Sequence, residues 1–170
     1  RQRQMCIRDS YFLGLCLLFA LCFTACSHSD DSVDVLIIGG GASGVTAGIQ
    51  SARMGAATLI VEETEWLGGM LTSAGVSAVD GNYDLPAGLF GEFRKHLADY
   101  YGGLDSLKTG WVSAVLFEPS VGNKIFHEMV DAEKNLKVWH NATLVKLERE
   151  KDVWIAQIQM KDNTIKKNTC

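Results

Sequence analysis

No two cysteines in this sequence stand in a C-x-x-C spacing, so neither a zinc ribbon nor a dithiol redox pair is signalled. Cys6, Cys16 and Cys22 fall in the first 25 residues, leaving Cys26 and Cys170, and nothing has the spacing of iron–sulfur cluster ligands. Cys170 is expected to be a buried strand residue. Basic residues form no patch and the formal net charge is −4, which removes the electrostatic footprint of a nucleic-acid binder. There is no Ser-His-Asp order and no metal box, so hydrolase chemistry has no foothold. His96, His127 and His140 stand apart along the chain and read as surface or core residues, and His28 lies in a polar stretch.

Long apolar runs are scarce as well. The one present, Tyr11 to Ala25, has 15 residues, short for a membrane span and suited to the apolar core of a secretory signal. It ends in Phe23-Thr24-Ala25-Cys26, which resembles a bacterial lipoprotein cleavage box with Cys26 as the acylated residue, though Phe23 stands where leucine is preferred. Ser27 to Ser32 is then a short polar, acidic tether, similar to the surface-export signal of Bacteroidetes lipoproteins. The expected location is the bacterial periplasm or outer-membrane surface, with a lipid anchor as the membrane contact. Residues 1–10 resemble translated adapter sequence and are set aside from fold reasoning, so 1–25 is leader, 26–32 tether and 33–170 the folded part.

What is abundant is glycine, and it is placed with purpose. Val35-Leu36-Ile37-Ile38 reads as a strand, followed by Gly39-Gly40-Gly41-Ala42-Ser43-Gly44, which fits G-x-G-x-x-G. A small-residue helix follows, then a second strand, Thr58 to Val61, closed by Glu62 eighteen residues after Gly44. In such a unit Gly39 permits the tight turn, where a side chain would clash, and Gly41 lets the backbone approach a pyrophosphate. Gly44 and Gly48 let the helix lie against the sheet. The unpaired N–H groups and positive dipole end of the helix, with Ala42 and Ser43 in its first turn, face the phosphates. Glu62 is placed to accept hydrogen bonds from a ribose diol. A bare glycine turn is common and a lone strand-end acid is usually only solvated; strand, helix and acid in one unit outweigh both readings.

Glu62 disfavours a 2′-phosphate, which sets NADP aside and leaves FAD and NAD. The stretch Trp66-Leu67-Gly68-Gly69-Met70-Leu71-Thr72-Ser73-Ala74-Gly75 discriminates between them. A Gly-Gly pair here resembles the flavoprotein pattern in which the chain folds back over FAD, with Gly68, Gly69 and Met70 as contacts; the bland alternative is a tight turn. With Phe117-Glu118-Pro119-Ser120-Val121, these residues make the chain from Val33 to Cys170 resemble the FAD-dependent oxidoreductases of the glutathione-reductase-like fold. The closest resemblance is to a bacterial group related to the flavin subunit of heterodisulfide reductase. The resemblance implies an α/β, Rossmann-like FAD/NAD(P)-binding domain, a parallel sheet plus an antiparallel β-meander, incomplete at the C-terminus. It also implies FAD as cofactor, adenine contact by the backbone around Leu144, and a later Gly-Asp motif that this sequence does not reach. The catalytic residues and the small-molecule substrate stay unassigned, and residues 26–170 alone are expected to hold FAD weakly. An NAD-dependent dehydrogenase, or a non-enzymatic surface lipoprotein with a vestigial nucleotide fold, are the alternatives.

The remaining pattern supports that domain. Leu89 to Tyr101 predicts a helix with Phe90, Phe93, Leu97 and Tyr100 on its inner face, stopped by Gly102-Gly103. A second helix is expected from Pro119 to about Lys134, with Val121, Ile125, Phe126 and Met129 inward. Strands are expected at 136–140, 142–148, 153–160 and 164–169, with Asp162-Asn163 as a turn between the last two.

Overall fold

The computed structural model describes residues 32–81, 85–111 and 113–170. The expected leader 1–25, most of the expected tether and Cys26, the expected lipidation residue, therefore lie outside the described residues. Three parallel strands, β1 (Val35–Ile38), β2 (Thr58–Val61) and β3 (Leu136–Trp139), form one sheet with β2 in the middle. Helices α1 (Ala42–Arg53), α2 (Gly88–Tyr101) and α3 (Pro119–Asp131) connect them. A meander of β4 (Ala142–Glu150), β5 (Val153–Met160) and β6 (Ile165–Thr169) forms a second, antiparallel sheet.

Alternation along the strands explains the layering. Ile37, Ile60 and Val138 face the helices, joining Val45, Ile49, Phe93, Leu97, Ile125, Phe126 and Met129 in the larger core. Leu36, Leu59, Val61 and Trp139 face the meander and pack on Ala142, Ala156 and Ile158. β2 is buried on both faces, as its unbroken Thr-Leu-Ile-Val run requires. Gly48 is what lets α1 lie so close: an added Cβ would come within 2.7 Å of Ile60. Phe126 stacks on Phe93 with ring centroids 4.4 Å apart, joining α3 to α2.

Both early strands fall on the residues the apolar runs name, and β5 matches as well. α3 ends at Asp131, three residues sooner than expected. The inner stripe of α2 is Leu89, Phe93, Leu97 and Tyr101, whereas Tyr100 is exposed. A strict i, i+4 row selects Tyr101, and its hydroxyl also donates to Glu118 at 2.6 Å, tying α2 to the start of α3. Burial is the main force raising the Tyr101 phenol above its usual range, with the Glu118 hydrogen bond adding to it. Cys170 is only partly buried and lies just past β6, with its Sγ 3.4 Å from the Asp34 carbonyl. Ser32, assigned to the tether by composition, makes a parallel bridge to Thr169 and so belongs to the fold.

Between α2 and α3 the chain takes a 3-10 turn at Leu104–Leu107, and Leu107, Val115 and Phe117 plug the core from this irregular segment. No helix among the described residues is long and apolar enough to cross a membrane.

Arg53 at the end of α1 fastens all three helical segments. It makes paired 2.8 Å hydrogen bonds to Glu92 on α2 and a 2.7 Å bond to Glu133 just beyond α3. The two carboxylates drive the guanidinium pKa upward, and the Arg53 hydrogen bonds hold the Glu92 carboxyl below its usual range. Because the Glu92 pKa is depressed in the folded state, its stabilisation is full above the ordinary carboxylate range and fades as pH falls through the lowered value. Arg53→Met should cost about 1 kcal/mol at neutral pH, the upper end for exposed pairs. The difference from the unaltered chain should shrink in acid, as read by urea unfolding at both pH values.

Candidate functional site

The glycine turn sits at the C-terminal ends of the parallel strands, where β1 hands over to α1. Gly39 takes φ +100°, with open space where its Cβ would stand; the constraint is the backbone angle and not the expected clash. Gly44 has no such room, because a Cβ there would overlap the Gly39 carbonyl oxygen. Gly41 caps α1 with no side-chain hydrogen bond, and nothing lies within 4 Å of its Cβ position. The first-turn N–H groups of α1, including those of Ala42 and Ser43, therefore point outward without an intrahelical acceptor. No acid stands in that first turn to compete for the dipole. The arrangement is an open anion cradle.

Glu62 reaches back to the turn. Its Oε2 accepts the Gly40 N–H at 2.6 Å, and its Oε1 accepts the Thr64 N–H at 2.9 Å and the Thr64 hydroxyl at 2.8 Å. Carboxylate oxygens offer about four acceptor positions in all, so one remains for a further donor such as a diol. The Glu62 backbone is equally engaged: its N–H donates to Trp139 on β3 and its carbonyl accepts from Ala142 on β4. The acid thus joins the glycine turn, the parallel sheet and the first strand of the meander.

Gly68 and Gly69 fold back onto the same turn. The Gly68 N–H donates to the Gly40 carbonyl at 2.8 Å, and Gly41 and Gly68 form a parallel bridge. Gly68 adopts φ +103°, and a Cβ on it would meet the Phe126 ring at 2.6 Å. A Cβ on Gly69 would come to 3.0 Å from Gly41 Cα. The close approach these glycines allow is to the protein itself, which brings the second glycine segment beside the first. Met70 follows on the 3-10 turn Gly69–Leu71 and is 69 % exposed. Leu144 lies on β4, two residues beyond the Ala142 that bonds Glu62, at a β-bulge that leaves Val145 without a register partner.

Four residues have supporting roles that the sequence did not assign to them. Gly40 has no room for a Cβ, with Leu67 2.8 Å away and Glu62 3.1 Å away. Thr64 orients the acid from two residues downstream, a spacing that a Thr after a strand-end acid could have signalled. Asn123 on α3 accepts the Leu67 N–H at 2.8 Å, and Thr72 donates its hydroxyl to the Leu67 carbonyl at 2.6 Å. Nothing local in the sequence marks Asn123.

The histidines do not all stand apart. His127 and His140 stack with centroids 5.1 Å apart. His127 Nε2 donates to the Glu65 carbonyl at 3.3 Å and His140 Nδ1 to the Thr64 carbonyl at 3.2 Å, so both pin the loop after Glu62. Lys161 and Asn141 bond the Glu65 carboxylate on the outside of that loop and hold its pKa below the usual range. No group of three or more His, Cys, Asp or Glu able to hold a metal occurs among the described residues.

A strand, an uncapped glycine-rich helix start and a strand-end carboxylate locked to the turn define a dinucleotide-binding α/β domain of the flavoprotein kind. Residues 34–170 match the family described as FAD dependent oxidoreductase, and the chain belongs to that family. FAD is its cofactor, and the open cradle at Gly41 with the remaining acceptor position on Glu62 fits that group. No curated protein matches the sequence. Among solved structures, the chain is similar to p-nitrophenol 4-monooxygenase PnpA from Pseudomonas putida DLL-E4, with TM-score 0.55 and 15% identity over 82% of this chain and 39% of that one. It is similar to the bacillithiol disulfide reductase Bdr from Bacillus cereus, with TM-score 0.54 and 13% identity over 81% of this chain and 37% of that one. OxyS anhydrotetracycline hydroxylase from Streptomyces rimosus gives TM-score 0.53 and 14% identity over 82% and 30%. At these identities the likeness is one of fold. The chain spans less than two fifths of each of these structures.

Glu62→Gln would turn one of two acceptor oxygens into a donor facing an N–H that already donates. It should weaken FAD binding by about tenfold or more, the scale of one mispaired buried hydrogen bond. Gly44→Ala should abolish binding by displacing the turn. Flavin fluorescence titration, with circular dichroism as the folding control, reads both.

Proposed function

We propose that this chain is the FAD-holding part of an oxidoreductase that acts on a small molecule, with no nucleic-acid partner. The observation that carries the reading is the clasp between Gly40, Glu62 and Gly68, which lines up two glycine segments and a ribose-accepting carboxylate. Gly39, Gly41, Ala42, Ser43 and Gly44 would receive the pyrophosphate, Glu62 the adenosine ribose, and the Leu144 backbone the adenine edge. Gly68, Gly69 and Met70 would lie along the flavin half. When bound, FAD supplies the electron-accepting and electron-donating chemistry; these residues hold and orient it. No residue is assigned to the substrate, because the fold alone does not choose one.

We further propose export and anchoring through Cys26. The support is the 15-residue apolar run, the Phe23-Thr24-Ala25-Cys26 box and the acidic tether that follows. The family match and the Gly68-Gly69 segment folded back onto the first turn favour FAD over the NAD alternative.

Purified protein of the length of its relatives should be yellow, with a flavin spectrum bleached by dithionite; a colourless preparation that cannot be loaded with FAD would end the proposal. Expressed in a Gram-negative host, the chain should partition with membranes. Cys26→Ser should abolish lipid labelling and release the protein to the soluble exported fraction, as read by fractionation and immunoblot.

A further inference from the structure

Glu62, Glu63 and Glu65 put three carboxylates within four residues, on a loop that is exposed at positions 63 to 65. Like charges so close repel one another, and an exposed loop has little packing to oppose them. Yet Thr64, in the middle of this run, supplies both donors to Glu62 Oε1, its N–H at 2.9 Å and its hydroxyl at 2.8 Å. Whatever fixes Thr64 therefore fixes the carboxylate. Two imidazoles do so from outside the loop. His140, between β3 and β4, donates from Nδ1 to the Thr64 carbonyl, where the Asn141 N–H joins it at 3.3 Å. His127 on α3 donates from Nε2 to the Glu65 carbonyl. A carbonyl only accepts, so both of these ring nitrogens carry a proton.

We propose that His127 and His140 are positioning residues for the cofactor: through the backbone of Thr64 and Glu65 they set the direction of the Glu62 carboxylate, and with it the affinity for the adenosine ribose. This role rests on the reading of Glu62 as the ribose acceptor. Both histidines stand on parts of the chain that the core holds in place. His127 follows the buried Ile125 and Phe126 on α3. His140 follows directly on β3, where the Trp139 carbonyl accepts the Glu62 N–H at 2.9 Å. The two rings stack with an interplanar angle of 29°, so each limits the rotation of the other and both donor directions are fixed together. Neither histidine has to touch FAD to act in this way.

The test compares flavin fluorescence titrations of protein of the length of its relatives, with circular dichroism as the folding control. His140→Phe keeps a ring for the stack and loses the donor, and should raise the FAD dissociation constant about threefold to tenfold, the scale of one hydrogen bond. His140→Asn, whose amide nitrogen stands near the place of Nδ1, should recover most of that loss. His127→Phe and His127→Gln should behave as the corresponding pair for Nε2. On a Glu62→Gln background, His140→Phe should change the constant by less than about twofold, because the carboxylate through which it acts is gone. In FAD-free protein the Thr64 amide should exchange its hydrogen faster in both phenylalanine variants. Unchanged affinity in both phenylalanine variants, with Glu62→Gln alone weakening binding, would overturn the role of the histidines and leave the ribose reading standing. Equal losses with and without Glu62→Gln would also overturn that role, since a general loss of stability acts in this way. Glu62→Gln without effect on affinity would overturn both. Each position has its own pair of variants, so either pair decides the matter if a variant at the other does not fold.

Discussion

The hydrogen bond from the Gly40 N–H to the Glu62 carboxylate is the constraint on which the rest of the site depends. It closes a ring of chain running from the first glycine turn, along α1 and β2, and back. Without it the turn at Gly39 to Gly44 and the acid at the end of β2 would be two loops fixed only by their strands. With it, a charge-assisted contact of 2.6 Å holds the acid edge-on to the turn. Gly68 adds a second tie to the same residue, through the Gly40 carbonyl. Gly40 thus uses both of its backbone groups to position its neighbours.

This clasp also explains why glycine is concentrated where it is. Gly44 and Gly68 are excluded from carrying a side chain by protein atoms and Gly40 and Gly69 are crowded by them, whereas Gly41 is bare in front of open space. The first four make the structure compact around the cradle, and the fifth leaves the cradle open. Packing supports the arrangement from behind: Phe126 fills the space beneath Gly68 and stacks on Phe93. Core and site are one continuous piece of packing here, so a loss of volume at Phe126 would reach the second glycine segment directly.

Much of this was legible in the residues. Val35 to Ile38 and Thr58 to Val61 are short apolar runs bounded by turn signals, and period alone marks them as strands. The G-x-G-x-x-G spacing and the acid eighteen residues later mark the candidate site because each residue type answers a local steric or electrostatic demand. What was not legible depends on distant partners. The tie from the Tyr101 hydroxyl to Glu118 joins two elements, and nothing local to either one marks it. His127 and His140 meet only because α3 and the end of β3 converge on one loop. Leu107, Val115 and Phe117 carry no period because the segment holding them is irregular.

The parallel bridge between Ser32 and Thr169 has a geometric consequence. Parallel strands start at one pole of the sheet and finish at the other, and Ser32 stands at the starting pole while the dinucleotide cradle crowns the finishing pole. The four residues of β1 span about 13 Å between them. A leash leaving at Ser32 and fastened to a lipid surface would therefore hold the domain by its base. The candidate cradle, at the opposite pole, would then look away from the proposed anchor.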